Sequence, residues 1–292
     1  MGSARVNGID IWYDRSGSPG PLLVLTHGFA GPTGGWPSII DDFKARFDLL
    51  LYDMRAHGKT TVPDDPATVT MPQLAADLAG LLDVLGIERA HIGGVSMGGM
   101  VTAQFACDYP ERLRSVLLCD TTAGNCGGPS AAANKVERKA VAGFERMAHI
   151  VEKYGVAELA DREDQVREAD PYARLSDMSM EEQAAKNRRQ KVGMMSQAGV
   201  LAANLALRER PDLTSRTPAI TAPTLVSCGE WDDFYPCAQR DHALISNSRF
   251  VTVRKAAHST PDFRPQLWRR AVFDFIHDVE AGRDVRGEFE LS

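Results

Sequence analysis

The stretch Gly94-Val95-Ser96-Met97-Gly98-Gly99 decides the fold. It matches Gly-x-Ser-x-Gly, a strand-to-helix turn so sharp that its serine needs strained backbone angles. Only small residues two positions to either side let the chain turn that tightly. The pattern is short, so its flanks carry the argument. His91–Val95 reads as a short strand ahead of it. Met97–Cys107, with Met100, Val101, Gln104 and Phe105 at helical spacing, reads as a helix that follows at once. The plainer alternative is a Gly/Ser turn that only packs a helix on a strand.

Working outward, short apolar runs alternate with helical patterns. Ile9–Tyr13 is expected as an early strand, Leu22–Thr26 as a buried one ending at His27-Gly28, and Phe47–Tyr52 as a third. Thr70–Leu85 is expected as a helix with Leu74, Leu78, Leu81, Leu82 and Leu85 on one face. Thr70 and Gln73 resemble a capping box, Pro72 suits a first turn and Gly86 is the stop. Leu113–Cys119 is another strand. From about 123 to 215 no strand pattern appears, and the chain is rich in helix formers. The rhythm resumes with strands Thr224–Cys228 and Arg249–Val253, a helix over Pro236–Ile245 and a closing helix over Pro261–Val279. The polar tail after Ala281 is expected to fray.

The expected architecture is therefore α/β: a mostly parallel, doubly wound sheet in residues 1–122 and 216–292, with a helical cap over 123–215. The 292 residues, 43% hydrophobic, suffice for such a core. A net charge of −6 offers no basic patch for nucleic acid. No signal peptide and no bilayer-length apolar run is read. Five scattered cysteines without a Cys-x-x-Cys suit reduced thiols in a cytoplasm.

In such sheets the active site lies at the carboxyl ends of the strands. Ser96 is there as nucleophile. Met97 opens the following helix, so its backbone N–H points at a developing oxyanion, and Phe29, after His27-Gly28, is the natural second donor. His258 follows the last strand and is alone among seven histidines on a late strand-to-helix loop. The acid that orients it comes from Asp232, Asp233 or Asp120, each near a strand end. His258 would take the Ser96 proton, Ser96 would attack an acyl carbonyl, and water would release the acyl-enzyme. Gly28, Trp36 and Trp231 are candidate pocket walls, and Met147, Met178, Met180, Met194 and Met195 make the cap methionine-rich. No metal-ligand spacing, phosphate loop or dinucleotide fingerprint appears, so neither metal nor cofactor is expected.

Three blocks resemble the α/β-hydrolase superfamily: His27-Gly28, Asp53-Met54-Arg55-Ala56-His57-Gly58-Lys59-Thr60, and the turn at Ser96. Leu81–His91 with Gly94–Met100 and Tyr109–Leu113 looks like its 3-oxoadipate enol-lactonase group. The likeness spans residues 20–122 and 213–280. It implies a cofactor-free hydrolase of esters or lactones, and a Ser–Asp–His chain order. The superfamily's acid sits three residues after a glycine and four before a proline, which Gly229, Asp232 and Pro236 satisfy and Asp233 does not. Ala56, Thr60 and Ala257 stand where glycine, serine and glycine are usual. His27–Trp36 is also similar to carbon–carbon hydrolases of aromatic ring cleavage, although Ser259 and Thr260 follow His258 where those carry tryptophan. That alternative calls for a cap arginine, Arg188 or Arg189, to grip a substrate carboxylate. A non-catalytic receptor on the same fold is a third reading. The expected partner is a small ester or lactone, with neither nucleic acid nor membrane, and a homodimer is left open.

Overall fold

The computed structural model describes residues 1–36 and 39–292. Along the chain run β1 (Gly2–Val6), β2 (Ile9–Arg15), β3 (Leu22–Thr26), α1 (Ile40–Arg46), β4 (Asp48–Tyr52), α2 (Met71–Val84), β5 (Ala90–Val95), α3 (Met97–Asp108) and β6 (Leu113–Cys119). After them come α4 (Ala131–Ala169), α5 (Met180–Met194) and α6 (Gln197–Arg208). The chain closes with β7 (Thr224–Gly229), α7 (Tyr235–Leu244), β8 (Ser248–Val253), α8 (Thr260–Phe263), α9 (Pro265–Glu280) and β9 (Gly287–Leu291). The strands form one sheet in the order β1-β2-β4-β3-β5-β6-β7-β8-β9. Pairs β1–β2 and β2–β4 are antiparallel and the rest are parallel, so the mostly parallel sheet is as expected.

The continuous apolar runs are buried because helices cover both faces. Leu74, Leu78, Leu81 and Leu82 of α2 join Val24, Ile92, Val116 and Val226 on one side. On the other, Trp268, Val272 and Phe275 of α9 pack with Leu23, Leu25, Leu49, Leu117 and Leu225. Thr70 caps α2 by accepting from the Gln73 backbone N–H at 3.2 Å. The Gln73 side chain turns instead to Asp77, so the capping box is half made. Gly86 ends that helix at φ 66°.

Two of the expected elements differ, and one strand was not expected. The closing helix is two, because Arg264 precedes Pro265 and leaves the helical region at φ −138°, ψ 67°. The tail does not fray along its whole length: Gly287–Leu291 adds β9 beside β8. Glu288 and Glu290 hid that strand, since an edge strand tolerates exposed charge. β1 was missed for a similar reason, with only Ala4 and Val6 of its residues buried.

Helices α4, α5 and α6 occupy the segment between β6 and β7. α4 runs 39 residues but breaks at Gly155, φ 85°, where glycine accepts a conformation other residues resist. Its first turns are tied to the sheet by buried charge. Glu137 accepts from Arg240 Nη1 at 2.8 Å, Thr122 Oγ1 at 2.6 Å and the Cys126 backbone N–H at 2.6 Å. Arg240 also donates to Asp241, whose other oxygen takes the Ala123 N–H at 2.8 Å. Every polar atom here that loses water gains a partner, which a buried ion pair requires. Removing Glu137 strands part of the Arg240 charge. Glu137→Ala is therefore expected to lose about 3–5 kcal/mol in urea unfolding. A loss under about 1 kcal/mol, the range of exposed pairs, contradicts this anchoring.

Candidate active site

β3, β5, β6, β7 and β8 end along one edge of the sheet, and each end carries a residue of the site. Ser96 follows β5 at φ 55°, ψ −119°, the strained geometry expected of the turn. Its N–H donates to Cys119 O at 3.0 Å, and its carbonyl accepts from Met100 N and, at 2.7 Å, from Thr121 Oγ1. The two glycines are steric necessities. A Cβ on Gly94 would overlap Gly98 O, and a Cβ on Gly98 would overlap Thr26 O and sit 2.5 Å from His27 O.

Ser96 Oγ lies 3.0 Å from His258 Nε2, and His258 Nδ1 lies 2.8 Å from Asp232 Oδ2. A carboxylate only accepts, so Nδ1 carries a proton and donates. In the neutral ring Nε2 is then free to accept the Ser96 hydroxyl. Asp232 is buried, and its other oxygen accepts the Phe234 N–H at 2.9 Å. Asp233, one residue on, points outward to Lys139. Asp120 is fully buried and bonds to Gly229 N, Thr260 N and Thr260 Oγ1 rather than to His258. Of the three candidate carboxylates, Asp232 is the one hydrogen-bonded to the imidazole.

Charge at the site follows from these neighbours. Burial opposes the imidazolium most strongly, but the ring is 43% exposed and water eases that penalty. The Asp232 charge and hydrogen bond, with Asp120 and Asp233 behind, raise the His258 pKa to about 9. Burial first, and then the Asp232 charge, push Asp120 up to about 7. Asp120, Cys228 and Asp232 bring ligand-type atoms within 4.8 Å of one another. Their carboxylate oxygens already accept N–H and O–H donors, and burial pushes the Cys228 thiol well above its usual pKa.

His27 does not reach the serine. Its Nδ1 donates to Gly28 O at 2.8 Å while Nε2 accepts Met54 N–H at 3.0 Å, joining the β3 loop to the β4 loop. Asp53 accepts from Thr33 N at 2.7 Å and Lys59 N at 2.9 Å, which pins the same two loops. Gly28 lies beside the site, since a Cβ there would be 3.6 Å from Ser96 Cβ. Among the described residues, no backbone carbonyl is seen to accept the Phe29 or Met97 N–H.

A cavity of about 810 Å³ opens between α4, α5 and the His258 loop. Phe144, Met147, Ile150, Phe234 and Phe263 give it an apolar stretch that reaches His258, while Lys139, Arg162, Glu163 and Lys186 line other parts, and Ser96 is not among its lining residues. Sequence reasoning missed these aromatic walls, because helical spacing alone does not say which face of a cap looks inward. Of the cap methionines, Met147 and Met178 line it. Trp36 instead stacks on Trp268, with centroids 5.9 Å apart, against the sheet's other face. Trp231 stacks on Tyr172 at 4.5 Å. Neither tryptophan stands in the cavity wall, because each finds an aromatic partner elsewhere.

The profile of the alpha/beta hydrolase fold family matches residues 21–265. A thermophilic esterase from Thermogutta terrifontis, solved with malate bound, is 29% identical, with a TM-score of 0.77 over 95% of this chain and 97% of its own. The enol-lactonase from Burkholderia xenovorans LB400 is 26% identical, with a TM-score of 0.77 over 94% and 100%. A Bacillus subtilis (strain 168) protein, provisionally named 2-succinyl-6-hydroxy-2,4-cyclohexadiene-1-carboxylate synthase, is 26% identical over 91% of this chain and 94% of its own. Several further curated relatives match over less, the chain spanning 30–42% of their length. No described helix is long and apolar enough to cross a membrane.

The hydrogen bond to Asp232 sets an expectation for the imidazole. By NMR, His258 is expected to titrate well above 6.5, and Asp232→Asn to bring it down. A His258 pKa at or below 6.5 in the unaltered protein contradicts the electrostatic picture.

Proposed function

The chain belongs to the alpha/beta-hydrolase fold family, and on that premise we propose that it cleaves a carboxylic ester or lactone through an acyl-enzyme on Ser96. The observation that carries this reading is the unbroken relay from Ser96 Oγ to His258 at 3.0 Å and from His258 to Asp232 at 2.8 Å. His258 removes the hydroxyl proton as Ser96 attacks the acyl carbonyl. Asp232 holds the ring in the tautomer that can do so and stabilises the imidazolium. The Phe29 and Met97 N–H groups take the oxyanion, and Met97 adds the positive end of α3. His258 returns the proton to the leaving alkoxide, then activates the water that frees Ser96.

Support for the ester or lactone class is chemical. The apolar stretch of the cavity beside His258 suits an acyl chain or ring, and the likeness to an esterase and an enol-lactonase agrees with it. Arg188 and Arg189, which the carbon–carbon hydrolase alternative needs, are exposed, and Arg188 is paired with Asp161. The substrate is a small molecule, and five unpaired cysteines suit a reducing compartment such as the cytoplasm.

An activity screen over short p-nitrophenyl esters, γ- and δ-lactones and homoserine lactones tests the proposal. Turnover of at least one class is expected, with Ser96→Ala lowering kcat/KM on the order of 10⁴- to 10⁶-fold. Undiminished turnover by Ser96→Ala contradicts it. The acid limb of kcat/KM is expected above pH 6.5, since His258 must lose its proton to act as base and its pKa is raised to about 9.

A further inference from the structure

Asp120 is a buried carboxylate that the acyl-transfer steps leave unused, yet the three loops of the site converge on it. Its Oδ1 accepts from Gly229 N at 3.1 Å, at the root of the loop bearing Asp232. Its Oδ2 accepts from Thr260 N at 2.7 Å and Thr260 Oγ1 at 2.8 Å, two residues beyond His258. The residues on either side of it hold the nucleophile. Cys119 O accepts the Ser96 N–H, and Thr121 Oγ1 donates to the Ser96 carbonyl. Both Asp120, at φ 48°, and Ser259, at φ 66°, sit in the left-handed region. Such backbone persists only where its surroundings over-determine it.

We propose that Asp120 is a positioning residue that clamps the Asp232 and His258 loops to the Ser96 turn and keeps a negative charge behind the imidazole. The role rests on the reading of Ser96 as nucleophile. The bonding pattern suits an anion, because the Gly229 and Thr260 backbone N–H groups can only donate and the Thr260 hydroxyl adds a third donor. The titratable groups around it are Asp232 on the acid loop, His258 on the base loop, Cys228 on β7 and Cys119 on β6. Among these His258 alone becomes cationic, so the Asp120 charge favours its protonated form. Below about pH 7, where burial and the Asp232 charge bring Asp120 to titrate, the clamp loosens.

The variants Asp120→Asn and Thr260→Val test this with p-nitrophenyl acetate, counting competent sites with a fluorophosphonate. Asparagine keeps the shape but turns an NH2 against Gly229 N–H or Thr260 N–H, and it carries no charge. Asp120→Asn is expected to lower kcat per labelled site about 10- to 100-fold, as displaced reacting groups do, with KM little changed. Its acid limb is expected to move down toward 6.5, because a negative charge near His258 is gone. Thr260→Val deletes one donor and keeps the charge, so it is expected to lower kcat less and leave the limb in place. A purely structural role would lower the melting temperature of both variants but leave kcat per site and the limb unchanged, and that result overturns the proposal. Should Asp120→Asn not fold, wild-type kcat per site in Thr260→Val overturns the clamp and a lowered kcat with an unmoved limb supports it. Wild-type protein that neither labels at Ser96 nor turns over ester instead defeats the reading of Ser96, and this role with it.

Discussion

The first turn of α3 lies against the end of β3 with no space for a side chain, and the site depends on that contact. A Cβ on Gly98 would meet the carbonyl oxygens of Thr26 and His27. Because the helix can approach so closely, Ser96 is held at φ 55° on the crest of the turn. The loop after β3 also lies near, since a Cβ on Gly28 would be 3.6 Å from Ser96 Cβ. Strain at the serine is balanced by ordinary bonds around it, from Ser96 N to Cys119 O and from Thr121 Oγ1 to Ser96 O. The proposed nucleophile is thereby carried on rigid backbone, which is what preorganisation asks for.

Two kinds of polar contact extend that rigidity. Behind the site, Asp53, His27 and Asp120 satisfy loop N–H groups that burial would otherwise leave unpaired. Helices α4 and α5 are fastened at several places. Glu137 and Arg240 tie α4 to α7, and Lys186 reaches Asp262, which also accepts from Ser259 Oγ beside His258. Gln190 Nε2 donates to Gly35 O at 3.2 Å, and Arg264 pairs with Asp177. The cavity is built between these fastenings, so α4 and α5, which line it, also bear on the loop that carries His258.

Much of this was legible because local chemistry and the fold agree. The turn at Ser96 and the strands Leu22–Thr26 and Leu113–Cys119 could be read from residue type and spacing alone. Asp232 was separated from its rivals by its spacing from Gly229 and Pro236 in the family resemblance. In the structure Asp233 faces solvent, Asp120 is engaged by Thr260 and Asp232 is hydrogen-bonded to His258. What stayed hidden depended on tertiary packing. Trp36 and Trp231 sit next to site loops in sequence, but aromatic stacking draws each away from the cavity. The break at Gly155 turns α4 so that residues from both of its limbs, Phe144 and Leu159 among them, face one space. The role of Asp120 was equally hidden, since its donors come from residues 109 and 140 positions away.

Everything proposed for this site requires Ser96 to be an activated nucleophile. The most direct measurement is mass spectrometry of the protein after a fluorophosphonate, with peptide mapping of the adduct. The account predicts one adduct per chain, located on Ser96, and slow labelling when His258 is replaced by alanine. An adduct on another residue, or unchanged labelling in Ser96→Ala, would contradict it.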